Sequence, residues 1–424
     1  MRDLLIIEGG VRLAGTVRAS SAKNAVLPMM AASILTGEEC VLRDVPRLRD
    51  VGVMGQILSS LGAEVRTEAV GDRSSATLTI VCRSLSSHVV PADLMGEVRS
   101  SIFLMGALLA RNGRADLAYP GGCSIGHRPI DLHLQGLRDL GAKIEEHGSR
   151  IEAEARELHG SDIRLTLPSV GATENIMMAA VLATGTTLIR NAAREPEIVD
   201  LQNMLNLMGA SISGAGGEAI RIEGVRRLHG VSYVPIPDRI EAGTLMVAAA
   251  ITSGQVEVSN CVPDHLRTLI DKLRQAGCTI EEGDRRVFVE MDGRPRAVDC
   301  VTLPYPGFPT DLQPPLMSLA AIADGTSAFL ETIYEQRFNQ AEGLQRMGAD
   351  ISITGQRAFV HGVERLRGAA VRAHDLRAGA ALVLAGLVAD GVTTVSGIEH
   401  IDRGYDGLET KLASLGASVR RACA

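Results

Sequence analysis

The sequence predicts an α/β protein of two similar domains, each made of three repeated α/β units around buried helices. A helix end, a glycine, a small residue and a short strand recur six times along the chain. Six further stretches are helical in pattern and apolar on nearly every face, and a helix without a polar face is a buried helix. With 424 residues the chain also exceeds the size of one ordinary core, which favours two domains.

The repeated helix ends place glycines at similar intervals. The segments are LSSLGAEV (58–65), LRDLGAKI (137–144), LNLMGASI (205–212), LRQAGCTI (273–280), LQRMGADI (344–351) and LASLGASV (412–419), and their glycines are separated by 79, 68, 68, 71 and 68 residues. A glycine at this point is typical of a left-handed helix C-cap. Solenoid repeats usually have periods of ~20–50 residues, so these longer units favour two closed groups of three.

The apolar helical stretches precede those glycines. They are 22–37, 98–113, 169–185, 239–254, 310–325 and 375–391, and each closes on a glycine. Two prolines in VSYVPIPDRI (231–240) lie between the third and fourth units and indicate a break there. A cleft between two such domains is the default place for a ligand.

Composition excludes several classes of protein. No apolar run reaches the ~18 residues of a membrane span, and the N-terminus has no signal-peptide pattern. A formal charge of −7, no Trp and 3% aromatic residues argue against nucleic-acid binding. The seven cysteines form no CxxC pair, and neither HExxH nor a P-loop occurs, so no disulfide framework, metal site or cofactor is expected. We therefore expect a cytoplasmic protein that does not bind membranes.

One loop has the composition of a reactive site. YPGGCSIGHRP (119–129) surrounds Cys123 with three glycines and two prolines and places Arg128 five residues later. An exposed thiol near a cation is where a reactive cysteine is expected, although a glycine-rich turn with an incidental thiol has the same composition.

The starts of the buried helices carry unusual charges. In the first half these are Lys23 with Asn24, Arg99, and Thr173 with Asn175; in the second half they are Asp238 with Arg239, Asp311, and Asp375 with Arg377. Asp238 is expected to be a helix N-cap, and Thr310 is a candidate cap in place of Asp311. A cation at a helix N-terminus opposes the macrodipole, so a bound anion is expected near Lys23 and Arg99.

If the units superpose, the helix starts and the loops after the next strands share one end of each domain. That arrangement predicts a basic pocket made of Lys23, Arg99, Arg128, Arg337, Arg377 and Arg403. Such a pocket in an acidic protein favours a small substrate with several negative charges, and therefore a phosphorylated or carboxylated metabolite.

Several segments, in order, resemble the family of UDP-N-acetylglucosamine 1-carboxyvinyltransferases, which are enolpyruvyl transferases. These segments are AKNAVLP (22–28), VRSSIF (98–103), PGGCSIGHRPIDLH (120–133), PSVGATENIM (168–177), NAAREPEIVD (191–200), PDRIEAGT (237–244), FPTDLQ (308–313), EQRF (335–338), DLRAGAALVLAG (375–386) and HIDRGY (400–405). Ser21 and His127 depart from the family pattern, which usually has glycine and a small residue there.

The resemblance implies an inside-out α/β barrel in each domain and an active-site cleft between the domains. The first domain would be 22–237, and the second would be 1–21 plus 238–424, because the N-terminus crosses back. The implied reaction is enolpyruvyl transfer from phosphoenolpyruvate to the 3′-hydroxyl of UDP-N-acetylglucosamine, with release of phosphate and no cofactor. This reaction is the first committed step of peptidoglycan synthesis. Phosphoenolpyruvate and UDP-N-acetylglucosamine are the expected partners, and no pattern in the sequence points to a particular protein partner.

The resemblance also implies roles for individual residues. Lys23, Arg128 and Arg403 would hold the phosphate and carboxylate of phosphoenolpyruvate, Asp311 would take the hydroxyl proton, and Cys123 would protonate C3 or assist product release. The expected contacts to the nucleotide sugar and the pocket lining are Asn24, Arg99, Arg128, Pro129, Ile130, Asp131, Leu132, Ser169, Val170, Asp311, Ile333, Arg337, Asp375 and Arg377.

Three other functions remain open from the residues. A sister transferase acting on shikimate 3-phosphate has the same architecture but lacks the cysteine loop. A non-catalytic relative that binds a UDP-sugar would not need Lys23, Cys123, Asp311 and Arg403 together. A thiol-nucleophile enzyme would need His127 or His133 as its base.

Overall fold

The computed structural model describes residues 3–70, 75–121, 129–335 and 337–423. These residues divide into two compact units, one containing 3–20 and 237–423 and the other containing 21–121 and 129–236. We call them the C-terminal unit and the N-terminal unit. The domain limits 22–237 and 1–21 plus 238–424 remain a prediction.

Thirteen α-helices lie within the described residues. They are α1 (Lys23–Ala32), α2 (Arg49–Ser60), α3 (Ala92–Glu97), α4 (Leu104–Asn112), α5 (Asp131–Asp139), α6 (Val170–Ala180), α7 (Pro196–Leu207), α8 (Arg239–Ile251), α9 (Arg267–Ala276), α10 (Gln313–Ala320), α11 (Gln340–Arg346), α12 (Leu376–Gly386) and α13 (Leu408–Ser414). Short 3₁₀ turns occupy Ser33–Leu35, Arg99–Phe103, Pro263–Leu266, Thr310–Leu312 and Ile398–Arg403.

The same residues form 23 strands. They are β1 (Asp3–Glu8), β2 (Ala14–Arg18), β3 (Glu39–Val45), β4 (Glu64–Val70), β5 (Ser75–Val81), β6 (Arg114–Ala118), β7 (Lys143–His147), β8 (Arg150–Glu154), β9 (Asp162–Arg164), β10 (Thr186–Arg190), β11 (Ser211–Ser213), β12 (Ala219–Glu223), β13 (Val231–Tyr233), β14 (Gln255–Ser259), β15 (Thr279–Gly283), β16 (Arg286–Glu290), β17 (Cys300–Val301), β18 (Thr326–Leu330), β19 (Asp350–Thr354), β20 (Arg357–His361), β21 (Ala370–Arg372), β22 (Val392–Ser396) and β23 (Ser418–Cys423).

Three buried helices form the centre of each unit. In the N-terminal unit α1, α4 and α6 pack against one another, and in the C-terminal unit α8, α10 and α12 do so. Every residue of α8, α10 and α12 is buried, which confirms the prediction from their apolar faces. The apolar stretches around Arg99 and Asp311 begin as 3₁₀ turns rather than as α-helices.

The predicted helix C-caps are confirmed by the backbone. Glycines 62, 141, 209, 277, 348 and 416 all have positive φ, between 97° and 111°. A side chain at such a φ is strained, so glycine is the residue that lets each outer helix turn directly into the next strand.

The sheets share one strand order. Each described sheet has an antiparallel core, and five of the six carry a fourth strand in parallel: β13-β3-β5-β4, β11-β12-β10-β9, β15-β16-β14-β2, β17-β18-β20-β19, β21-β22-β1-β23, and the three-stranded β6-β8-β7. In three of these sheets, the parallel strand comes directly before the buried helix whose following strand belongs to the same sheet. This common pattern is the repeat that the glycines indicated.

Two parallel strands are exchanged between the halves of the chain. Strand β2 precedes α1 in sequence but pairs with β14, whereas β13 precedes α8 but pairs with β3. Strand β1 completes the last sheet by pairing with β22 and β23. The chain therefore passes from one unit to the other twice, just before α1 and just before α8.

Candidate active site

A carboxylate held by two arginines lies at the helix starts of the C-terminal unit. Asp311 Oδ1 lies 2.7 Å from Arg337 Nη1. Its Oδ2 accepts hydrogen bonds from Arg377 Nη2 at 2.9 Å and Arg377 Nε at 3.1 Å. The Asp311 side chain is 23% exposed, against 5% for Arg337 and 3% for Arg377, so the carboxylate is the part of this cluster that a ligand reaches most easily.

The helix starts position these groups. Asp311 lies in the 3₁₀ turn before α10, and Arg377 is the second residue of α12. The Asp375 Oδ1 caps α12 by accepting from the backbone N–H groups of Arg377 and Ala378, both at 2.9 Å, and its Oδ2 accepts from Asn339 Nδ2 at 2.8 Å. Because the cap fixes the backbone at Arg377, it also fixes the direction of the Cα–Cβ bond from which the Arg377 side chain extends.

Burial and charge act in opposite directions on this cluster. Burial by itself would raise the pKa of Asp311, but the charges of Arg337 and Arg377 outweigh it and hold that pKa well below its usual range. Burial would lower the pKa of Arg377, and the Asp311 charge outweighs it, so this pKa is raised. All three groups are therefore charged at neutral pH.

Two buried donors of the cluster have no hydrogen-bond partner among the described residues. These are Arg337 Nε and Arg377 Nη1. Buried N–H groups are nearly always paired in folded proteins. The cluster therefore holds two N–H donors that Asp311 does not use.

Aromatic rings pack on the same arginines. The Arg377 guanidinium lies 5.2 Å from the centroid of the Tyr405 ring, and the Arg337 guanidinium lies 5.4 Å from that of Tyr334. The Tyr405 hydroxyl is 2.9 Å from Thr244 Oγ1, on α8. The ring packing restricts the side-chain positions of both arginines.

Helix caps differ in part from those expected. Asp238 caps α8 as predicted, with Oδ1 accepting from the N–H groups of Ile240 at 2.8 Å and Glu241 at 3.0 Å. Thr310, the candidate cap, does not act as one, because it lies inside the 3₁₀ turn Thr310–Leu312; its hydroxyl donates to Glu331 Oε2 at 2.9 Å and accepts from Arg337 Nη1 at 3.0 Å rather than from a backbone N–H. Sequence reasoning missed Glu331, which lies four residues before the EQRF segment (335–338).

Other predicted residues of this unit lie on two loops. Ile333 is half-buried, and its backbone N–H donates to Glu331 Oε1 at 2.9 Å. Arg403 is half-buried at the end of the 3₁₀ turn Ile398–Arg403. Its neighbour Asp402 pairs with Arg421 at 2.7 Å.

The N-terminal unit contains a buried lysine at a helix start. Lys23 is the first residue of α1, and its Nζ lies 2.6 Å from Asp50 Oδ2 in the first turn of α2. Both side chains are buried. Asp50 therefore supplies, within the protein, the anion that the helix dipole led us to expect near Lys23. No pattern in the sequence pointed to Asp50, because its partner is 27 residues away.

The remaining predicted contacts of this unit lie at helix starts. Ser169 caps α6, its Oγ accepting from Ala172 N at 3.3 Å, and Val170 follows it. Arg99 begins a 3₁₀ turn and is half-buried. The others are Asn24, which is exposed on α1, Pro129 and Ile130 before α5, and Asp131 and Leu132 in its first turn.

Most of the predicted cysteine loop lies outside the described residues. Cys123, His127 and Arg128 lie outside the described residues. His133 is described, and it is buried with Nδ1 3.1 Å from Asn175 Nδ2. Asn175 also bonds the α4 region through Gly106 N at 2.7 Å and Ile102 O at 3.1 Å. His133 therefore belongs to a packed polar network of the core, which disfavours it as the base of a thiol enzyme.

The described ranges contain neither a candidate metal cluster nor a candidate membrane-spanning helix. No group of three or more His, Cys, Asp or Glu side chains within them could hold a metal ion. None of their helices has both the length and the apolar character to cross a membrane.

Glu174 is a buried carboxyl on α6 without a hydrogen bond from the described residues. Burial, with the nearby charges of Glu197 and Glu195, raises its pKa well above the usual value. An acid whose pKa is raised on folding loses stability as the pH rises above its unfolded-state pKa. We expect Glu174→Met to raise the free energy of unfolding at pH 7 by about 1–3 kcal/mol, because it removes an unsatisfied buried group. Urea unfolding at pH 5 and pH 8 would test this, and an equal gain at both pH values would contradict the role of ionisation.

Similarity to known proteins covers the whole chain. The family model of EPSP synthase (3-phosphoshikimate 1-carboxyvinyltransferase) matches residues 7–412. UDP-N-acetylglucosamine 1-carboxyvinyltransferase 1 of Symbiobacterium thermophilum is 55% identical over 98% of this chain and 94% of its own length. UDP-N-acetylglucosamine 1-carboxyvinyltransferase 2 of Caldanaerobacter subterraneus is 52% identical over 98% of both chains.

The fold agrees with these relatives. The crystal structure of the enolpyruvyl transferase NikO from Streptomyces tendae superposes with a TM-score of 0.88 at 27% identity, covering 100% of this chain and 99% of that one. The predicted architecture and the predicted family are thus both confirmed. The chain belongs to the enolpyruvyl transferase family and, within it, to the UDP-N-acetylglucosamine 1-carboxyvinyltransferases.

Proposed function

We propose that this protein transfers the enolpyruvyl group of phosphoenolpyruvate to the 3′-hydroxyl of UDP-N-acetylglucosamine and releases phosphate. The reaction is the first committed step of peptidoglycan synthesis. Full-length identity above 50% to relatives named for this activity is the observation that carries the proposal. The alternative substrate, shikimate 3-phosphate, has no comparable support, since the relatives at this level of identity are named for the nucleotide sugar.

We propose that Asp311 is the base of this reaction. As O3′ of the sugar bonds to C2 of phosphoenolpyruvate, Asp311 takes the hydroxyl proton and Cys123 gives a proton to C3. The Cys123 thiolate then takes back a proton from C3 while the bond from C2 to the phosphate oxygen breaks, which yields the enol ether and phosphate. Because Arg337 and Arg377 lower the proton affinity of Asp311, proton transfer has to accompany C–O bond formation, which acidifies the hydroxyl.

Cations supply the binding of phosphoenolpyruvate in this proposal. Lys23, Arg128 and Arg403 would contact its phosphate and carboxylate, with Lys23 already oriented by Asp50. Charge-assisted hydrogen bonds of this kind are about twice as strong as neutral ones. The proposed contacts to the nucleotide sugar are Asn24, Arg99, residues 128–132, Ser169, Val170, Asp311 and Ile333. Arg337, Asp375 and Arg377 would line the same pocket. We infer that the reaction needs no cofactor, because side chains of the protein supply every proton donor and acceptor that the addition and the elimination require.

We place the reaction in the cytoplasm. The five cysteines whose side chains the structure describes, Cys40, Cys82, Cys261, Cys278 and Cys300, are all free thiols. Free thiols in such number are typical of a reducing compartment.

Phosphate release tests the proposal and the role of Cys123 together. The purified protein is expected to release phosphate from phosphoenolpyruvate only when UDP-N-acetylglucosamine is present. Cys123→Ser should lower kcat by about 10²-fold, whereas Cys123→Asp should retain activity, because a carboxylic acid also delivers a proton. Fosfomycin, a thiol-directed probe, should inactivate the wild type and leave Cys123→Asp active. A wild type that releases no phosphate with both substrates would contradict the function, and an inactive Cys123→Asp would favour a role in product release.

A further inference from the structure

Glu331 is a fully buried carboxylate behind the proposed base. Its Oε1 accepts hydrogen bonds from Thr302 Oγ1 at 2.8 Å, Ile333 N at 2.9 Å and Tyr334 N at 3.0 Å. Its Oε2 accepts from Thr310 Oγ1 at 2.9 Å. With 0% of its surface exposed, Glu331 is not a group that substrate can touch. Its hydrogen bonds fix two loop segments relative to each other.

The hydrogen bond from Thr310 has a defined direction. A threonine hydroxyl has one hydrogen and two lone pairs, and a carboxylate only accepts. Because the Thr310 hydrogen is donated to Glu331, the hydroxyl offers only lone pairs to its other neighbour, Arg337 Nη1, at 3.0 Å. Glu331 therefore makes Thr310 an obligatory acceptor for the arginine.

Arg337 Nη1 connects Thr310 to Asp311. This nitrogen has two N–H groups, and it lies 3.0 Å from Thr310 Oγ1 and 2.7 Å from Asp311 Oδ1. One N–H for each acceptor satisfies the nitrogen completely. The Nε of the same side chain has no hydrogen-bond partner among the described residues, so Thr310 and Asp311 are the two polar contacts that the structure records for this guanidinium. Loss of the Thr310 acceptor would leave the guanidinium with Asp311 as its remaining recorded hydrogen-bonding partner, beside its packing on the Tyr334 ring.

We propose that Glu331 and Thr310 are positioning residues, which orient Arg337 on Asp311 so that the carboxylate keeps a fixed direction towards the sugar hydroxyl. Neither touches the reacting atoms. Glu331 also fixes the backbone at Ile333, one of the proposed nucleotide-sugar contacts. The inference rests on the proposed function, because it assigns Asp311 as the base of that reaction.

A pair of threonine variants tests the inference. Thr310→Val keeps the shape of the side chain and removes the hydroxyl, whereas Thr310→Ser keeps the hydroxyl. We expect Thr310→Val to lower kcat by about 10- to 100-fold, since a misplacement of ~1 Å can cost about 10²-fold. The KM for phosphoenolpyruvate should change little, and Thr310→Ser should restore most of kcat.

Thr302→Val is the matched control. Thr302 donates to the same carboxylate, at 2.8 Å, and none of its recorded hydrogen bonds goes to Arg337. It should retain kcat to within about threefold, a change of less than 1 kcal/mol in the barrier. Equal losses of kcat in Thr302→Val and Thr310→Val would mean that Glu331 only stabilises the loops, and would overturn the inference.

Two other outcomes are distinguishable. An active wild type together with Thr310→Val at wild-type kcat would overturn the positioning role and leave the proposed function intact. A wild type without phosphate release would contradict the proposed function and this inference with it. Thermal unfolding of each variant separates a loss of kcat from a loss of folded protein.

Discussion

Replacement of Asp311 by asparagine is expected to lower kcat of phosphate release by about 10³-fold, within the 10²–10⁴ range of a general base. Asparagine has nearly the same shape but cannot take the proton of the sugar hydroxyl. It also leaves the buried charges of Arg337 and Arg377 without a counterion, so some loss of stability is expected as well. Steady-state kinetics with both substrates varied, combined with thermal unfolding, separates the two effects.

Asp162→Asn is the matched control for this variant. Asp162 also forms a two-point pair with an arginine, its oxygens lying 2.8 Å and 2.9 Å from Arg190 Nε and Nη2, but on exposed strands. Its replacement should leave kcat at the wild-type value. If Asp311→Asn kept more than about a tenth of wild-type kcat while folded, Asp311 would not be the base.

Replacement of Lys411 by methionine is expected to lower the free energy of unfolding by about 3–5 kcal/mol, the usual cost of leaving one member of a buried ion pair alone. Lys411 Nζ lies 2.6 Å from Glu241 Oε1 and donates to Ser20 Oγ at 2.7 Å. Glu241 Oε2 also accepts from the backbone N–H of Ser20 at 2.5 Å. The pair therefore anchors the chain where it leaves β2, just before α1.

The pH dependence of this variant has a defined sign. Burial raises the pKa of Glu241 and Lys411 lowers it, so removal of the lysine raises that pKa further. A carboxyl whose pKa is raised in the folded state loses stability as the pH rises above its unfolded-state pKa. The loss in Lys411→Met should thus be smaller at pH 5 than at pH 8 in urea unfolding.

Two comparisons test the cause of this loss. The double variant Glu241→Leu/Lys411→Met should recover most of the stability, because it leaves no unpaired charge. Arg346→Met breaks an exposed ion pair, in which Arg346 Nη2 lies 2.7 Å from Glu342 Oε1. This variant should change the free energy of unfolding little. If Lys411→Met were as stable as Arg346→Met, the buried pair would not anchor the crossing segment.

The sequence predicted those features of the site that depend on interactions between residues close together in the chain. Asp238 is an N-cap because an aspartate before a helix accepts from N–H groups two and three residues later, and such geometry is contained in the sequence itself. The candidate cap at Thr310 was wrong because the turn begins at Thr310 itself, with Pro309 in the N-cap position, and the Thr310 oxygen accepts from the distant Arg337 rather than from a backbone N–H. Asp50 and Glu331 were missed, since their side-chain partners lie 20 to 30 residues away and no periodic pattern connects them.

The sequence by itself determined the repeat, the buried helices and the turns that end the outer helices. Each of these follows from interactions within a few residues: an apolar helix must be covered, and a left-handed cap requires glycine. Resemblance to a family added the reaction and the residues that would perform it. Only the tertiary structure decided that β2 and β13 exchange sheets, and that Arg337 and Arg377 meet on one carboxylate. These pairings join residues 26 to 241 positions apart, and they depend on how the three buried helices of a unit pack, which local preferences do not specify.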